Sequence, residues 1–276
     1  MALMLTFPNC KINIGLYVTN RRQDGYHDLE TVFYPLAVKD ALEVVAAKEE
    51  TTLTVTGKAV SGGNRDNLVW KAWEMLRQQY SDKVGALDIY LHKAIPMGAG
   101  LGGGSADGAF MLRLLNDYYK LGLTGDELET KALTLGSDCP FFIRNIPQFA
   151  MGRGEQMEPV MVDISGYSIQ LICPEVHVST AKAFKMLQPK PAGFDLREVP
   201  RLAIKDWKDK ISNDFEGPVF REHPGLSDIK DQLYGQGALF ASMSGSGSAI
   251  YGIFPYGQKA TVKTDIPFEE FNLKLP

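Results

Sequence analysis

"PMGAGLGGGSADGAF" spans residues 96–110, and six of its fifteen residues are glycine. Glycine loses more conformational freedom on folding than any other residue, so this density marks backbone that turns sharply or approaches something closely. The preceding "ALDIYLHKAIP" alternates apolar and polar residues as a half-buried strand does, and the following "SADGAFMLRLLNDYY" has helical spacing. A glycine-rich turn from strand to helix suits phosphate. Backbone N–H groups reach its oxygens, and the helix N-terminus adds partial positive charge. Ser105 falls in the first helical turn, where its hydroxyl is placed to cap the helix or to reach a phosphate or Mg²⁺. The alternative is a tight connection with no ligand; the glycine density and the helix-entry serine argue against it.

Three nucleotide loops compete for this stretch. The phosphate loop of P-loop NTPases needs a Lys after its last glycine, and here Ser105 follows Gly104. Gly98 to Gly103 formally match G-x-G-x-x-G, but a dinucleotide site also expects a second strand ending in an acid about twenty residues on. That region reads "DYYKLGLTGDELE", a helix end, a turn and a helix start. The protein-kinase loop has no accompanying H-R-D or D-F-G.

Upstream, "KINIGLYV" (residues 11–18) reads as a strand, and "YHDLETVFYPL" as a second strand beyond a turn at Asp24-Gly25. "ALEVVAAKEETTLTVTG" holds two more, and "NLVWKAWEMLRQQY" sets Leu68, Val69, Ala72, Met75 and Leu76 on one helical face. Downstream, "TGDELETKALTLG" reads as a helix capped by Thr124. Glycine and charge then break the apolar pattern at "MGRGEQMEPV", which predicts domains over residues 1–155 and 156–276. Strands at "YSIQLIC" and "SAIYGIF", helical segments and a Pro-rich connector follow, so the class is α+β.

Composition narrows the rest. The 276 residues carry 29 Lys+Arg against 33 Asp+Glu, and the net charge of -4 gives no chain-wide footprint for nucleic acid. Neither a basic run for an anionic membrane nor a stretch of ~18 apolar residues is present. Cys10, Cys139 and Cys173 are odd in number and far apart, which favours reduced thiols. With no signal-like start, the expected location is cytoplasmic. The four histidines make no metal-ligand spacing.

The glycine loop resembles that of the GHMP kinases, the superfamily of galactokinase, homoserine kinase, mevalonate kinase and phosphomevalonate kinase. The resemblance continues in "FPNCKINIGLYVTNRRQDGYHDLETVFYPL" (residues 7–36), "LGSDCPFFI", "MGRGE", "NDFEGPVF" and "SMSGSGSAIYGIF". The first block and "GSDCPFF" are similar to the branch whose small-molecule substrate is a cytidine-diphosphate-linked methylerythritol, phosphorylated on its 2-hydroxyl in the non-mevalonate isoprenoid route. The resemblance implies a two-domain GHMP-kinase fold with the active site in the cleft between domains, ATP as donor, and Mg²⁺. It implies that Pro96, Met97, Gly98, Ala99, Gly100, Leu101, Gly102, Gly103, Gly104, Ser105 and Ala106 surround the phosphates. A third glycine is common where Ala99 stands, and Val or Ala where Cys139 stands.

Phosphoryl transfer needs in-line positioning, charge neutralisation and a proton acceptor. Strand alternation sets Lys11 and Asn13 on one face, able to hold an alcohol and a phosphate oxygen; an edge-strand Lys that discourages aggregation is the plainer reading. Asp138 lies in a polar turn before Pro140, Phe141 and Phe142, where it is either a partly desolvated acid or a helix cap. The resemblance implies Asp138 as catalytic base and Lys11 as its partner. Tyr26 and His27 offer a stacking face and hydrogen bonds, or are incidental surface. By resemblance they bind the cytidine, with Phe184 closing on the base and Thr180 beside it. Asn67 is a candidate for adenine and, by spacing, a helix cap. "NDFEGPVF" reads as structural, and by resemblance "SGSGS" (residues 244–248) lies beside the phosphate loop. With no carboxylate cage, Mg²⁺ would rest on Ser105, ATP oxygens and water. The rival readings are a GHMP kinase for mevalonate or a sugar, which needs no base stack, and a non-catalytic nucleotide sensor.

Overall fold

The structure, a computed structural model, describes residues 4–60 and 62–275. The chain opens with strands β1 (Met4–Thr6), β2 (Asn9–Arg21), β3 (His27–Lys39), β4 (Ala41–Ala46) and β5 (Thr52–Gly57). Helix α1 (Leu68–Gln79), strand β6 (Leu87–Lys93) and helices α2 (Gly103–Tyr118), α3 (Gly125–Leu135) and α4 (Cys139–Arg144) follow. Next come β7 (Gln148–Met151), β8 (Gln156–Pro159), β9 (Tyr167–Pro174), α5 (Thr180–Lys185), α6 (Glu216–Glu222) and α7 (Pro224–Gly235). Strands β10 (Phe240–Met243), β11 (Ile250–Pro255) and β12 (Phe268–Lys274) complete it.

The chain forms two compact units, both discontinuous in sequence. One comprises Met1–Lys11, Pro35–Met97 and Gly102–Ile146; the other comprises Ile12–Tyr34, Gly98–Leu101 and Pro147–Pro276.

The first unit contains the sheet β1-β4-β6-β5, in which β6 pairs antiparallel with β4 and parallel with β5. Along β6, Leu87, Ile89, Leu91 and Lys93 are buried and alternate with more exposed residues, the period of two expected of a strand with one covered face. Helices α1 and α2 pack closely. A Cβ on Gly108 would meet the Leu68 Cβ at 2.9 Å, so a larger residue there would push the helices apart. Helix α3 begins with a reciprocal cap: Glu127 N–H donates to Thr124 Oγ1 (3.3 Å), and Thr124 N–H to Glu127 Oε2 (2.8 Å).

The second unit contains the antiparallel sheet β10-β11-β9-β12. Its apolar core includes Ile172, Ile250 and Phe254 from strands, Val219 from α6, and Leu226, Ile229 and Leu233 from α7. The third sheet runs β2-β3-β7-β8, with Thr31, Val32 and Phe33 of β3 registered on Ala150, Phe149 and Gln148 of β7. No helix among the described residues is long and apolar enough to cross a membrane.

Candidate active site

The expected site residues are divided between the units. In the first, the glycine loop runs into α2 two residues earlier than the sequence suggests. Gly102 is the N-cap with φ +71°, a left-handed conformation that glycine adopts without strain, and Gly103 is the first helical residue. Ser105 therefore lies inside the first turn and does not cap the helix. The first-turn amides have no carbonyl partner within the helix, which makes this end a donor surface for anions. The loop is packed tightly from below. A Cβ on Gly102 would lie 3.0 Å from Phe142 Cζ and 3.3 Å from Lys11 Cε.

Lys11 and Asp138 meet in this unit, with Nζ 3.6 Å from Oδ2. Asp138 occupies the N-cap position of α4 but makes no side-chain cap bond, so its carboxylate is not spent on the helix. The Lys11 side chain is 4% exposed and that of Asp138 36%. Burial pulls the Lys11 ammonium below its ordinary pKa, and the charge and hydrogen bond of Asp138 oppose this. A half-exposed carboxylate beside a buried cation is suited to accept a proton while the cation holds an oxygen. The neighbouring Cys139 is fully buried. Burial pushes its thiol up to about 12, against a hydrogen bond with the Ser105 hydroxyl, so it is an inert packing group.

Asn67, the adenine candidate, caps α1: its Oδ1 accepts from Val69 N–H at 2.9 Å. No set of three or more His, Cys, Asp or Glu among the described residues is arranged to hold a metal ion. The donors near the loop are the Ser105 hydroxyl and the Asp138 carboxylate. These fit an Mg²⁺ carried chiefly by phosphate oxygens and water, the usual mode for this ion at nucleotide sites.

In the second unit, the loop segment Gly98–Leu101 lies against the small-residue turn of residues 244–248. Gly100 has φ +77°, and a Cβ there would lie 2.0 Å from the Ser244 carbonyl oxygen. Ser244 Oγ donates to Gly100 O at 2.9 Å, and Ala249 N–H donates to Ala99 O at 3.1 Å. Ala99 is buried with a negative φ, so its methyl is accommodated. Asn213 and Glu216 act as scaffold for this turn: Asn213 Nδ2 donates to the carbonyls of Met243 and Gly245, each at 2.8 Å, and Glu216 Oε1 accepts from Met243 N–H at 2.9 Å. Asn13 is buried; its Nδ2 donates to Thr31 Oγ1 at 2.9 Å, and Thr31 Oγ1 donates to Gly15 O at 2.6 Å.

The aromatic candidates lie in the same unit. His27 and Phe184 are stacked, with ring centroids 4.9 Å apart and planes 18° apart. Phe184 is braced edge-on by Phe215 at 4.9 Å. Burial, helped by the charge of Arg21, lowers the His27 pKa and favours the neutral ring, which both donates and accepts. Tyr26 is exposed and carries the Arg153 guanidinium 5.0 Å from its ring centroid. Thr180 Oγ1 lies 2.9 Å from Ser246 Oγ. Neither Arg153, within the "MGRGE" motif, nor Thr31 carries a local sequence signal for these contacts, because their partners Tyr26 and Asn13 lie on other segments.

Residues 67–145 match the GHMP kinases N terminal domain and residues 196–268 the GHMP kinases C terminal, so the fold is that of a GHMP kinase. Two relatives named 4-diphosphocytidyl-2-C-methyl-D-erythritol kinase are similar over most of the chain. That of Parabacteroides distasonis is 51% identical over 251 residues, 91% of this chain and 92% of its own. That of Bacteroides thetaiotaomicron is 49% identical over 254 residues, again 91% and 92%. A crystal structure of 4-(cytidine 5'-diphospho)-2C-methyl-D-erythritol kinase superposes with TM-score 0.75 at 32% identity, covering 91% of this chain and 90% of that one. The chain belongs to the 4-diphosphocytidyl-2-C-methyl-D-erythritol kinase family of the GHMP kinases and is a phosphotransferase.

Proposed function

We propose that the chain transfers the γ-phosphoryl group of ATP to the 2-hydroxyl of 4-diphosphocytidyl-2-C-methyl-D-erythritol, a step toward isoprenoid precursors. The observation that carries this reading is the Lys11–Asp138 pair, a carboxylate left uncapped and a cation buried against it. Asp138 takes the hydroxyl proton, and Lys11 beside it holds the hydroxyl oxygen. The amides at the start of α2 and the glycines from Gly98 to Gly104 receive the phosphates. Pro96, Met97, Leu101 and Ala106 frame that loop, and Asn67 borders the nucleotide. Mg²⁺, when bound, neutralises phosphate charge, with Ser105 as its protein donor.

His27, Phe184 and Tyr26 recognise the cytosine, an assignment supported by their stacking faces and by the neutral state favoured at His27. Thr180 and Asn13 complete the acceptor contacts. We place the enzyme in the cytoplasm, a reading supported by the buried thiols of Cys10, Cys139 and Cys173.

The test is ADP release with Mg·ATP and four acceptors: the diphosphocytidyl compound, mevalonate, homoserine and galactose. Turnover of the first alone is expected. Turnover of another would overturn the roles of Tyr26, His27 and Phe184, and ATP binding without turnover of any would make the protein a sensor.

A further inference from the structure

The inner face of β6 ends in a charge. Lys93 follows Leu87, Ile89 and Leu91 into the core of the first unit and is 1% exposed. Its ammonium is paired with two carboxylates, Asp40 and, at 2.6 Å, Asp107 Oδ2. Neither acid side chain is more than 3% exposed. Asp40 Oδ1 also accepts from the backbone N–H groups of Ala94 (2.6 Å) and Ile95 (2.8 Å), the residues that lead from β6 into the glycine loop. Asp107 lies one helical turn beyond Gly103, on α2. A Cβ on Gly103 would be 3.4 Å from Lys93 Nζ and 2.9 Å from Ile95 Cγ2, so the ammonium sits directly beneath the first residue of the helix.

We propose that Asp40, Lys93 and Asp107 form a buried clamp that fixes the start of α2 relative to the end of β6, and so positions the phosphate-binding amides for ATP. It rests on reading the glycine loop as the ATP site. Desolvating three ionisable groups is expensive, and a well-packed apolar trio of similar volume is often as stable or more so. What an apolar trio lacks is direction: the fork of Asp40 ties the strand exit to Lys93, and Lys93 ties both to α2. Asp107 Oδ1 has no hydrogen-bond partner, consistent with an acid whose position is set by the clamp rather than by its own solvation.

The three are positioning residues; none is assigned contact with the nucleotide. The test is calorimetric binding of Mg·ADP to Asp40→Asn, Asp107→Asn and Lys93→Met, with KM for the diphosphocytidyl acceptor and Tm measured alongside. Asp40→Asn replaces the oxygen that pairs with Lys93 by an amide nitrogen and is expected to weaken ADP binding about tenfold or more, as is Lys93→Met. Asp107→Asn sets an amide against Lys93 on the α2 side only, leaving the strand-exit bonds of Asp40 in place, and is expected to weaken it about threefold or more. Acceptor KM is expected to move less than about twofold in all three. If Lys93→Met does not fold, the two isosteric variants decide. Wild-type ADP affinity in Asp40→Asn, or equal losses for ADP and acceptor, would overturn the clamp alone. Failure of the wild-type protein to bind ADP would overturn the loop reading and the clamp with it.

Discussion

The His27 imidazole lies flat on the Phe184 ring, centroids 4.9 Å apart. The ring pair is a ready stacking surface, and Phe215 holds Phe184 from its edge. Base–aromatic stacking contributes about 1–3 kcal/mol per base. Phe184→Ala is therefore expected to raise KM for the diphosphocytidyl acceptor by about tenfold or more, with KM for ATP unchanged. Initial rates at varied acceptor and ATP measure both; an equal rise in the two constants would remove Phe184 from base recognition.

Asp138→Asn keeps the shape of the α4 N-cap and deletes the proton acceptor. General-base catalysis is worth about 10²–10⁴-fold, and kcat should fall by an amount in that range with ADP affinity retained. The substitution also removes the charge that opposes desolvation of Lys11, so the Lys11 pKa should fall further below its ordinary value. A residual kcat within threefold of wild type would place the base elsewhere.

Gly100 and Gly122 share φ +77°, but only Gly100 faces a close neighbour, the Ser244 carbonyl oxygen 2.0 Å from a would-be Cβ. Left-handed backbone costs a residue with a Cβ about 1–2 kcal/mol. Gly122→Ala should show that strain and little else. Gly100→Ala must also displace the Ser244 backbone, and its Tm should drop further by at least about 5 °C. Thermal melts of the pair separate strain from collision; equal losses would show that the two loops can part at no extra cost.

Asp107 makes stability depend on pH. Its folded carboxyl keeps the proton up to about pH 8, whereas the unfolded carboxyl releases it near its ordinary 3.8. Between those values unfolding releases a proton, so raising the pH favours the unfolded chain. The favourable contribution is complete below about pH 4 and lost as pH rises through about 8. Lys93 from β6 and Asp40 from the β3–β4 junction are the charged groups facing it. Asp107→Asn should flatten the fall in Tm between pH 5 and 8, as calorimetric scans at three pH values would reveal; parallel curves for variant and wild type would contradict it.

Much of the site was legible because its signals are local. The glycine loop, the strand before it and the Thr124–Glu127 cap each sit within a few residues, where spacing speaks directly. The start of α2 was placed late because consecutive glycines read as loop, although a left-handed Gly102 lets the helix begin at once. Lys93 escaped notice for a physical reason: a charge in an alternating strand reads as the wet face, and only burial of its two partners allows it inward. Strand β12 was missed entirely. Glu269, Glu270, Asn272 and Lys274 favour solvent, and the segment is held by its ladder to β9. Lys11 and Asp138 are far apart in sequence, and no spacing rule joins them. Their pairing was accessible only through family resemblance.

The backbone passes between the two units at five junctions: Lys11–Ile12, Tyr34–Pro35, Met97–Gly98, Leu101–Gly102 and Ile146–Pro147. Neither unit is a cassette. A crossover between two related genes would need several simultaneous breakpoints to exchange one unit intact, and a single breakpoint inside the glycine loop would join its two limbs from different parents. Point changes and changes of loop length leave all five junctions in place, whereas the exchange of one unit must re-create every one of them.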